Sequence, residues 1–400
     1  MPCDFRAVKC FSAIIICMMM LIVTSCSDEE KVVDAPSLDV VLIDQPSSVF
    51  IQDATEFMEM VKVMKVPESV AVDQAASLNG FNYIDNRLYA HSTYLNSLLS
   101  FDENGDVIWL IKGSSSPVDV FRSADLINFD QYKNEFLVYD GIERTIFAYD
   151  LNGGFIRKEL CEVNFMDFKM LKKSRVIYDA SFLPNTHLQN SSQEFNLYIE
   201  NTDGSLEALN PRLPLQQGLV PWNGNSNFIS VGDNIYFKPN FGDTTFTVRY
   251  DDVSPYLITK FSSNNRAQSI LDEIKTGSIA RKIFSEQVPY TNIVVPTRFG
   301  NYATYTSGGK RFMYASVKND HSRNDLNTQF LKFNETIIPV PISFSNGYFF
   351  SVAKEDDRDA ILEVAKDKML NSDEMEEKFE AMSKNIRDTE GLYIYVLKVK

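Results

Sequence analysis

The sequence predicts an all-β chain: a six-bladed β-propeller with two helical loop insertions, its ring closed by an N-terminal strand in the last blade. Three observations carry this. A polar turn followed by a short aromatic strand recurs six times along the chain. A second turn, built on an acid and a glycine, follows the first three copies. Strand-like segments return about every 8–12 residues, in groups of four with a period of roughly 40–50 residues, which is the spacing of propeller blades.

Residues 1–25 have the pattern of a secretory signal. Arg6 and Lys9 precede an apolar run from Ala13 to Val23, and Thr24-Ser25-Cys26 follows. The run is shorter than the about 20 residues that span a bilayer. The cleavage site resembles a bacterial lipobox. That resemblance implies cutting before Cys26 and anchoring to outer-membrane lipid through its acylated thiol and amino group. Ser27, Asp28, Glu29 and Glu30 come next and resemble the lipoprotein export signal of Bacteroidota. By that resemblance the protein is displayed on the outer face of the outer membrane; an ordinary signal peptide or a periplasm-facing lipoprotein is the alternative. Residues 26–56, polar and uneven, are expected to be the lipidated cysteine and a flexible tether.

Residues 57–400 form the expected propeller. An early strand, Glu59 to Val66, precedes the first full blade, and the chain ends in a strand from Leu392 to Val399. The last blade is short of strands, so the early strand is expected to complete it beside 392–399, which covers strand edges and stops the ring unzipping. The six turn-and-strand copies begin at Asp85, Lys133, Ser174, Gly232, Gly309 and Ser345. Phe101-Asp102-Glu103-Asn104-Gly105, Tyr149-Asp150-Leu151-Asn152-Gly153 and Ile199-Glu200-Asn201-Thr202-Asp203-Gly204 are the second turn. Tyr250-Asp251-Asp252 and Phe333-Asn334-Glu335 are weaker versions. Asn and Gly tolerate the positive φ of tight hairpins, and the flanking Ile, Val, Tyr and Phe suit half-buried strands. A sandwich has no such long period, and β-helix repeats are much shorter. Residues 266–286 and 356–388 instead space their apolar residues as amphipathic helices do.

On these motifs the chain resembles the six-bladed β-propeller lipoproteins of Bacteroidota, which are similar to NHL-repeat propellers. The resemblance covers about residues 57–400 and is best over Leu88 to Leu160. It implies a fold and a location more than an activity. Where that family often carries a Gly-Pro-Gly-Glu-like stretch, this chain has Gly113-Ser114-Ser115-Ser116-Pro117-Val118.

The formal charge of −15 argues against nucleic acid and against an anionic bilayer surface as partners. Cys161 is the one cysteine beyond Cys26, so no internal disulfide is expected and Cys161 reads as a small buried hydrophobe. Trp109 reads as core. With strands lettered a to d from the axis outward, the long connections fall on the b–c and d–a face, at 113–122, 181–193, 211–226, 263–290, 319–327 and 354–390. Elaborated loops on one end of a rigid ring are where binding usually resides.

Trp222, Asn223 and Asn225 in one such loop, with His187, are the candidate ligand contacts; a tryptophan packed on a neighbouring blade is the alternative. His91, His187 and His321 are expected in b–c loops of alternate blades, where three imidazoles could hold Zn²⁺. Inner-strand Asn79, Asn82, Asp125, Asn128, Asp130 and Asp167 could hold Ca²⁺. No GxSxG, P-loop or paired-cysteine motif is present, and no catalytic residue or obligate cofactor is predicted. The function expected is a surface-anchored, non-catalytic propeller that binds a protein partner or an extracellular glycan or peptide. The alternative is a metal-dependent hydrolase or lyase with its site on the propeller axis.

Overall fold

The computed structural model describes residues 39–44, 51–67, 70, 78–92, 94–114, 119–181, 183, 185, 187–188, 195–211, 226–239, 242–249, 252–261, 290–297, 300–307, 310–319, 322–334, 336–354, 357, 359, 361–362 and 391–400. Three strands come first: β1 (Asp39–Ile43), β2 (Ile51–Asp53) and β3 (Met58–Val66). Blade 1 is β4 (Leu78–Ile84), β5 (Arg87–Ser92), β6 (Ser97–Phe101) and β7 (Val107–Lys112). Blade 2 is β8 (Leu126–Asp130), β9 (Glu135–Asp140), β10 (Thr145–Tyr149) and β11 (Phe155–Leu160). Blade 3 is β12 (Asp167–Met170), β13 (Val176–Asp179), β14 (Phe195–Glu200) and β15 (Leu206–Pro211).

Blade 4 is β16 (Phe228–Val231), β17 (Asn234–Phe237), β18 (Thr244–Val248) and β19 (Val253–Phe261), with β1 added outside β19. Blade 5 is β20 (Tyr290–Pro296), β21 (Gly300–Ser307), β22 (Lys310–Asn319) and β23 (Ser322–Thr328). A small sheet of β24 (Phe330–Phe333), β25 (Thr336–Pro339) and the parallel β2 follows. Blade 6 is β26 (Ser343–Ser345), β27 (Tyr348–Ala353), β28 (Leu392–Val399) and β3. Blade 6 closes the ring as the sequence predicts: β3 lies antiparallel to β28, with Val63 opposite Tyr395 and Val66 opposite Leu392.

Alternation along each strand explains why blades pack in a ring. In β9, Phe136 and Val138 face blade 1, while Leu137 and Tyr139 face blade 3. In β27, Phe349 faces blade 5 and Phe350 and Val352 face blade 1. Both faces of a blade are therefore apolar, and only a neighbour on each side can bury them. The buried residues form six clusters, one at each junction of neighbouring blades. The innermost strands β4, β8, β12, β16, β20 and β26 touch in that order, and β26 returns to β4. The small sheet adds a seventh β layer without a seventh blade: its Leu331, Phe333 and Ile338 belong to the same cluster as the junction of blades 5 and 6.

The turns have the predicted chemistry. Asp85-Asn86 and Asn346-Gly347 lie at positive φ between strands a and b. In the c–d turns of blades 1 and 2, Asp102 Oδ1 accepts the Asn104 and Asp106 N–H groups, and Asp150 Oδ1 accepts those of Asn152 and Gly154. Gly105 (φ +92°) and Gly153 (φ +83°) complete these turns. Each glycine packs on the outer strand of the preceding blade, Gly105 on the Lys65 backbone and Gly153 on the Trp109 ring.

Several expectations are corrected. The segment 26–56 is not tether throughout, because β1 and β2 lie within it; Val41 and Ile43 are buried with Leu257 and Tyr305 between blades 4 and 5. The continuous β-branched and apolar run Val40-Val41-Leu42-Ile43 was the signal for this. The fifth copy of the repeat falls on β22, the third strand of its blade rather than the second. Residues 322–328 are strand, not loop, and pair with 313–319. Phe333-Asn334-Glu335 joins β24 to β25. Trp109 is half-buried on an outer strand, its indole N–H donating to Leu151 O at 3.3 Å across the blade 1–2 junction. The helix expected at 266–286 lies outside the described residues; of the second, Asp357, Asp359, Ile361 and Leu362 are helical and the remainder lies outside them. Among the described residues, no helix is long and apolar enough to cross a membrane.

Candidate axial binding site

Residues from all six innermost strands line one cavity of about 540 Å³, so it sits on the axis of the ring. Its lining runs from Ser226, ahead of β16, and Lys354 and Asp357, beyond β27, to Ser345 at the end of β26. The first three belong to d–a and b–c connections, so the cavity reaches the face that carries the long connections. Blade 5 contributes little from its inner strand, Ile293 alone, but Arg311 of β22 and Gln329-Phe330 reach the same space.

The polar lining does two different things. Part of it ties blades together. Asn82 Oδ1 on β4 accepts from Ser345 Oγ at 2.5 Å and Asn346 Nδ2 at 3.2 Å, linking blade 1 to blade 6. Asn128 on β8 donates to Phe168 O and accepts from Lys169 Nζ at 2.8 Å, linking blade 2 to blade 3. The other part has no protein partner. Ser230 Oγ, Ser343 Oγ and Gln329 Oε1 are buried within the wall of the cavity and make no hydrogen bond to protein. Buried polar atoms are almost always paired, with protein, water or a ligand.

Lys169 is the buried cation of the site, at 7% exposure. Its ammonium donates to Asn128 Oδ1 and, at 3.4 Å, to Phe129 O. Among the described residues no carboxylate lies within salt-bridge distance. Burial pushes its pKa down to about 8, while the more distant Asp167 and Asp130 oppose that shift. It therefore still carries its proton near neutral pH. Arg311 and Lys354 are the other cations, and Asp357 the acid, of the described lining residues, in a chain that is strongly acidic as a whole.

The sequence candidates are dispersed. His91 is not in a loop: it lies on β5, 2% exposed, with Nδ1 2.9 Å from Asn79 Oδ1. Burial pushes its pKa down to about 4, so it is neutral. His187 lies in the b–c connection of blade 3 as expected, its Nε2 2.6 Å from Glu162 O. His321, Trp222, Asn223, Asn225, Cys26, Ser27, Asp28, Glu29 and Glu30 lie outside the described residues. Among the described residues no three His, Cys, Asp or Glu side chains gather as a metal site. Asp125, Asp130 and Asp167 instead hold backbone. Asp125 Oδ2 accepts Gly141 N–H, Asp130 Oδ1 accepts Tyr132 N–H, and Asp167 Oδ2 accepts Asn227 N–H and Ser226 Oγ–H. Cys161 is buried, which pushes its thiol up to about 12 and leaves it unreactive.

Sequence reasoning missed Lys169, Lys238 and Asp179. Lys169 and Lys238 are buried, the latter donating to Thr291 O at 2.9 Å between blades 4 and 5. Asp179 accepts from Ser181 and from Asn227 Nδ2 at 2.6 Å. Burial, with Asp167 nearby, pushes Asp179 up to about 7. A lysine among apolar residues in a short inner strand, Asp167-Phe168-Lys169-Met170, was the available signal for the axial cation.

Comparison with known proteins agrees with the ring. No curated protein matches the chain. A Bacteroides fragilis NCTC 9343 protein described as exported shares the fold, with a TM-score of 0.62 at 12% identity over 90% of this chain and 99% of that one. A DUF4221 family member from Bacteroides vulgatus aligns at a TM-score of 0.43 and 10% identity, over 86% of this chain and 99% of that one. A streptogramin B lyase aligns at 0.41 and 10%, over 75% and 96%. Those two scores are too low to carry an argument. The profile of the DUF5128 family, described as a 6-bladed beta-propeller, matches residues 51–339. That span takes in blades 1 to 5, the small sheet and the closing strand β3, and the chain belongs to this family of six-bladed β-propellers.

Proposed function

We propose that the chain is a surface-anchored, non-catalytic lipoprotein that binds an extracellular glycan or peptide, or a protein partner, with the axial cavity receiving the ligand. The observation that supports binding is the make-up of that cavity: hydroxyls, amides and cations on a rigid six-bladed frame, with neither histidine nor cysteine among the described lining residues. Ser230 and Ser343 have no base bonded to their hydroxyls, and such a hydroxyl is a hydrogen-bonding group and a poor nucleophile. The anchoring part of the reading rests on residues 1–30, with Cys26 as the lipidated residue and Ser27 to Glu30 as the export signal.

The test is binding of the soluble chain from Ser27 onward to a panel of glycans and peptides, beside the variant Ser343→Phe, which places a bulky ring in the cavity wall. At least one ligand should bind the natural chain and be lost from the variant. Binding that ignores the variant, or no binding at all, refutes an axial site. The same preparation, purified without chelator, should carry no stoichiometric Zn²⁺ or Ca²⁺; a full equivalent of either would favour the metal-dependent hydrolase or lyase instead.

A further inference from the structure

We infer that the ligand of the axial cavity is an acidic saccharide, a uronic acid residue whose carboxylate meets Lys169 and whose hydroxyls meet Ser230, Ser343 and Gln329. This rests on the axial-binding reading above and adds the ligand class to it.

Two independent observations point the same way. The first is charge. Lys169 is buried on the inner strand β12, spends two of its three N–H groups on Asn128 and Phe129, and has no carboxylate in contact among the described residues. Asp167 and Asp130 act on it only from a distance, and a buried cation without a contacting counter-charge is costly, so a ligand anion supplies the closer charge. Lys354 at the loop face is a second cation of the lining, with Asp357 beside it, its carboxylate accepting the Lys354 backbone N–H at 2.9 Å. The second is unpaired polarity. Ser230, 5% exposed, and Ser343 and Gln329 each present a buried oxygen without a partner, on three different segments around the same space. Hydroxyl oxygens both donate and accept, and a glutamine carbonyl accepts, so the set matches a ligand with several hydroxyls. A plain inorganic anion would satisfy the charge and leave three oxygens and most of about 540 Å³ unmatched.

The experiment is calorimetric titration of the soluble chain with galacturonate and glucuronate, their methyl esters, and galactose and glucose, alongside a neutral-glycan and peptide panel. The acids should bind, and the esters, which keep every hydroxyl and lose the charge, should bind at least about tenfold more weakly. Lys169→Met should weaken the acids by a similar factor and leave the esters unchanged. Circular dichroism and melting of that variant check that it folds, and Lys354→Gln, at the edge of the cavity, gives the same comparison with little risk to folding. Equal affinity for acid and ester, or acid affinity untouched by both variants, overturns the inference. If a neutral glycan or peptide binds and is lost on Ser343→Phe, axial binding stands and the acidic ligand is wrong. If nothing in the panel binds, both fail.

Discussion

Gly105→Ala tests the closure of the ring at a single atom. Gly105 sits at φ +92° in the c–d turn of blade 1, and a Cβ there would lie 2.4 Å from Lys65 O. Lys65 is on β3, paired with Tyr393, so the clash falls on the strand that closes blade 6. Two costs add. Holding an alanine in the left-handed region costs about 1–2 kcal/mol. Relieving a backbone overlap of this depth requires moving the turn or the strand, at about 1–3 kcal/mol. Gly204→Ala separates them. Gly204 occupies the equivalent turn of blade 3 at φ +79°, with nothing within 4 Å of the new Cβ. It should lose about 1–2 kcal/mol from the backbone alone. Urea unfolding of the two variants, followed by tryptophan fluorescence, should therefore place Gly105→Ala below Gly204→Ala by about 1–3 kcal/mol. Equal losses would show that β3 does not press on blade 1, and the closure would have to be redrawn.

The other predictions concern the blade ties, protonation and location. Asn82→Ala removes the acceptor of Ser345 and Asn346 and should lower stability by about 1–2 kcal/mol in the same urea assay; no change would deny the tie between blades 1 and 6. His91 and Asp179 should bend the pH–stability curve in opposite directions. His91, held down to about 4 when folded against an ordinary 6.5, contributes stability above pH 6.5 that is lost as pH falls towards 4. Asp179, held up to about 7 against 3.8, contributes stability below pH 3.8 that is lost as pH rises through 7. Between these limits His91→Gln should leave a curve that falls more steeply with pH, and Asp179→Asn one that rises; curves parallel to the natural chain would refute both assignments. Cys26→Ala should release the protein from membranes in cell fractionation. Replacing Asp28, Glu29 and Glu30 with Ala should keep it lipidated but protect it from protease added outside intact cells; unchanged digestion would mean these acids are only a solvated run.

The ring was legible in the sequence because its signals are local. Each blade repeats a turn that needs positive φ at Asn or Gly, followed by a strand with apolar residues on both faces, as in Phe136-Leu137-Val138-Tyr139. Closure was legible because the unpaired strand 59–66 and the terminal strand 392–399 were each one short of a blade. The failures have one physical origin, which is that pairing partners are not written locally. Val41 and Ile43 alternate as a strand should, yet only the distant β19 decides that they are buried. His91 sits two residues beyond Tyr89 in a strand that runs longer than its repeat signature, so it was assigned to a loop. The fifth copy was placed one strand too far inward because β20 precedes it without a recognisable turn signal. Lys169 could not be found at all by motif, since its role depends on Asn128 from another blade.

What remains at the axis after the structural bonds are subtracted is the part that a ligand can use. The faces of the blades are apolar and buried at six junctions, and they bind one another. The inner Asn and Asp side chains, which sequence alone offers as cation ligands, are already committed. Asn82 joins blades 1 and 6, Asn128 joins blades 2 and 3, and Asp167 holds the entry to β16. A Ca²⁺ at these residues would have to break bonds that keep neighbouring blades in register. Ser230, Ser343, Gln329 and the remaining N–H of Lys169 are different. Their residues line one cavity, the oxygens of Ser230, Ser343 and Gln329 tie no blades together, and each of these oxygens gains a partner only if something enters. Substitutions at the tying residues should therefore appear as lost stability, and substitutions at Ser230, Ser343 and Gln329 as lost binding in a chain that still folds, while Lys169, which also bonds Asn128 across blades 2 and 3, should show both; the two sets exchange roles only if the axial cavity is a structural void.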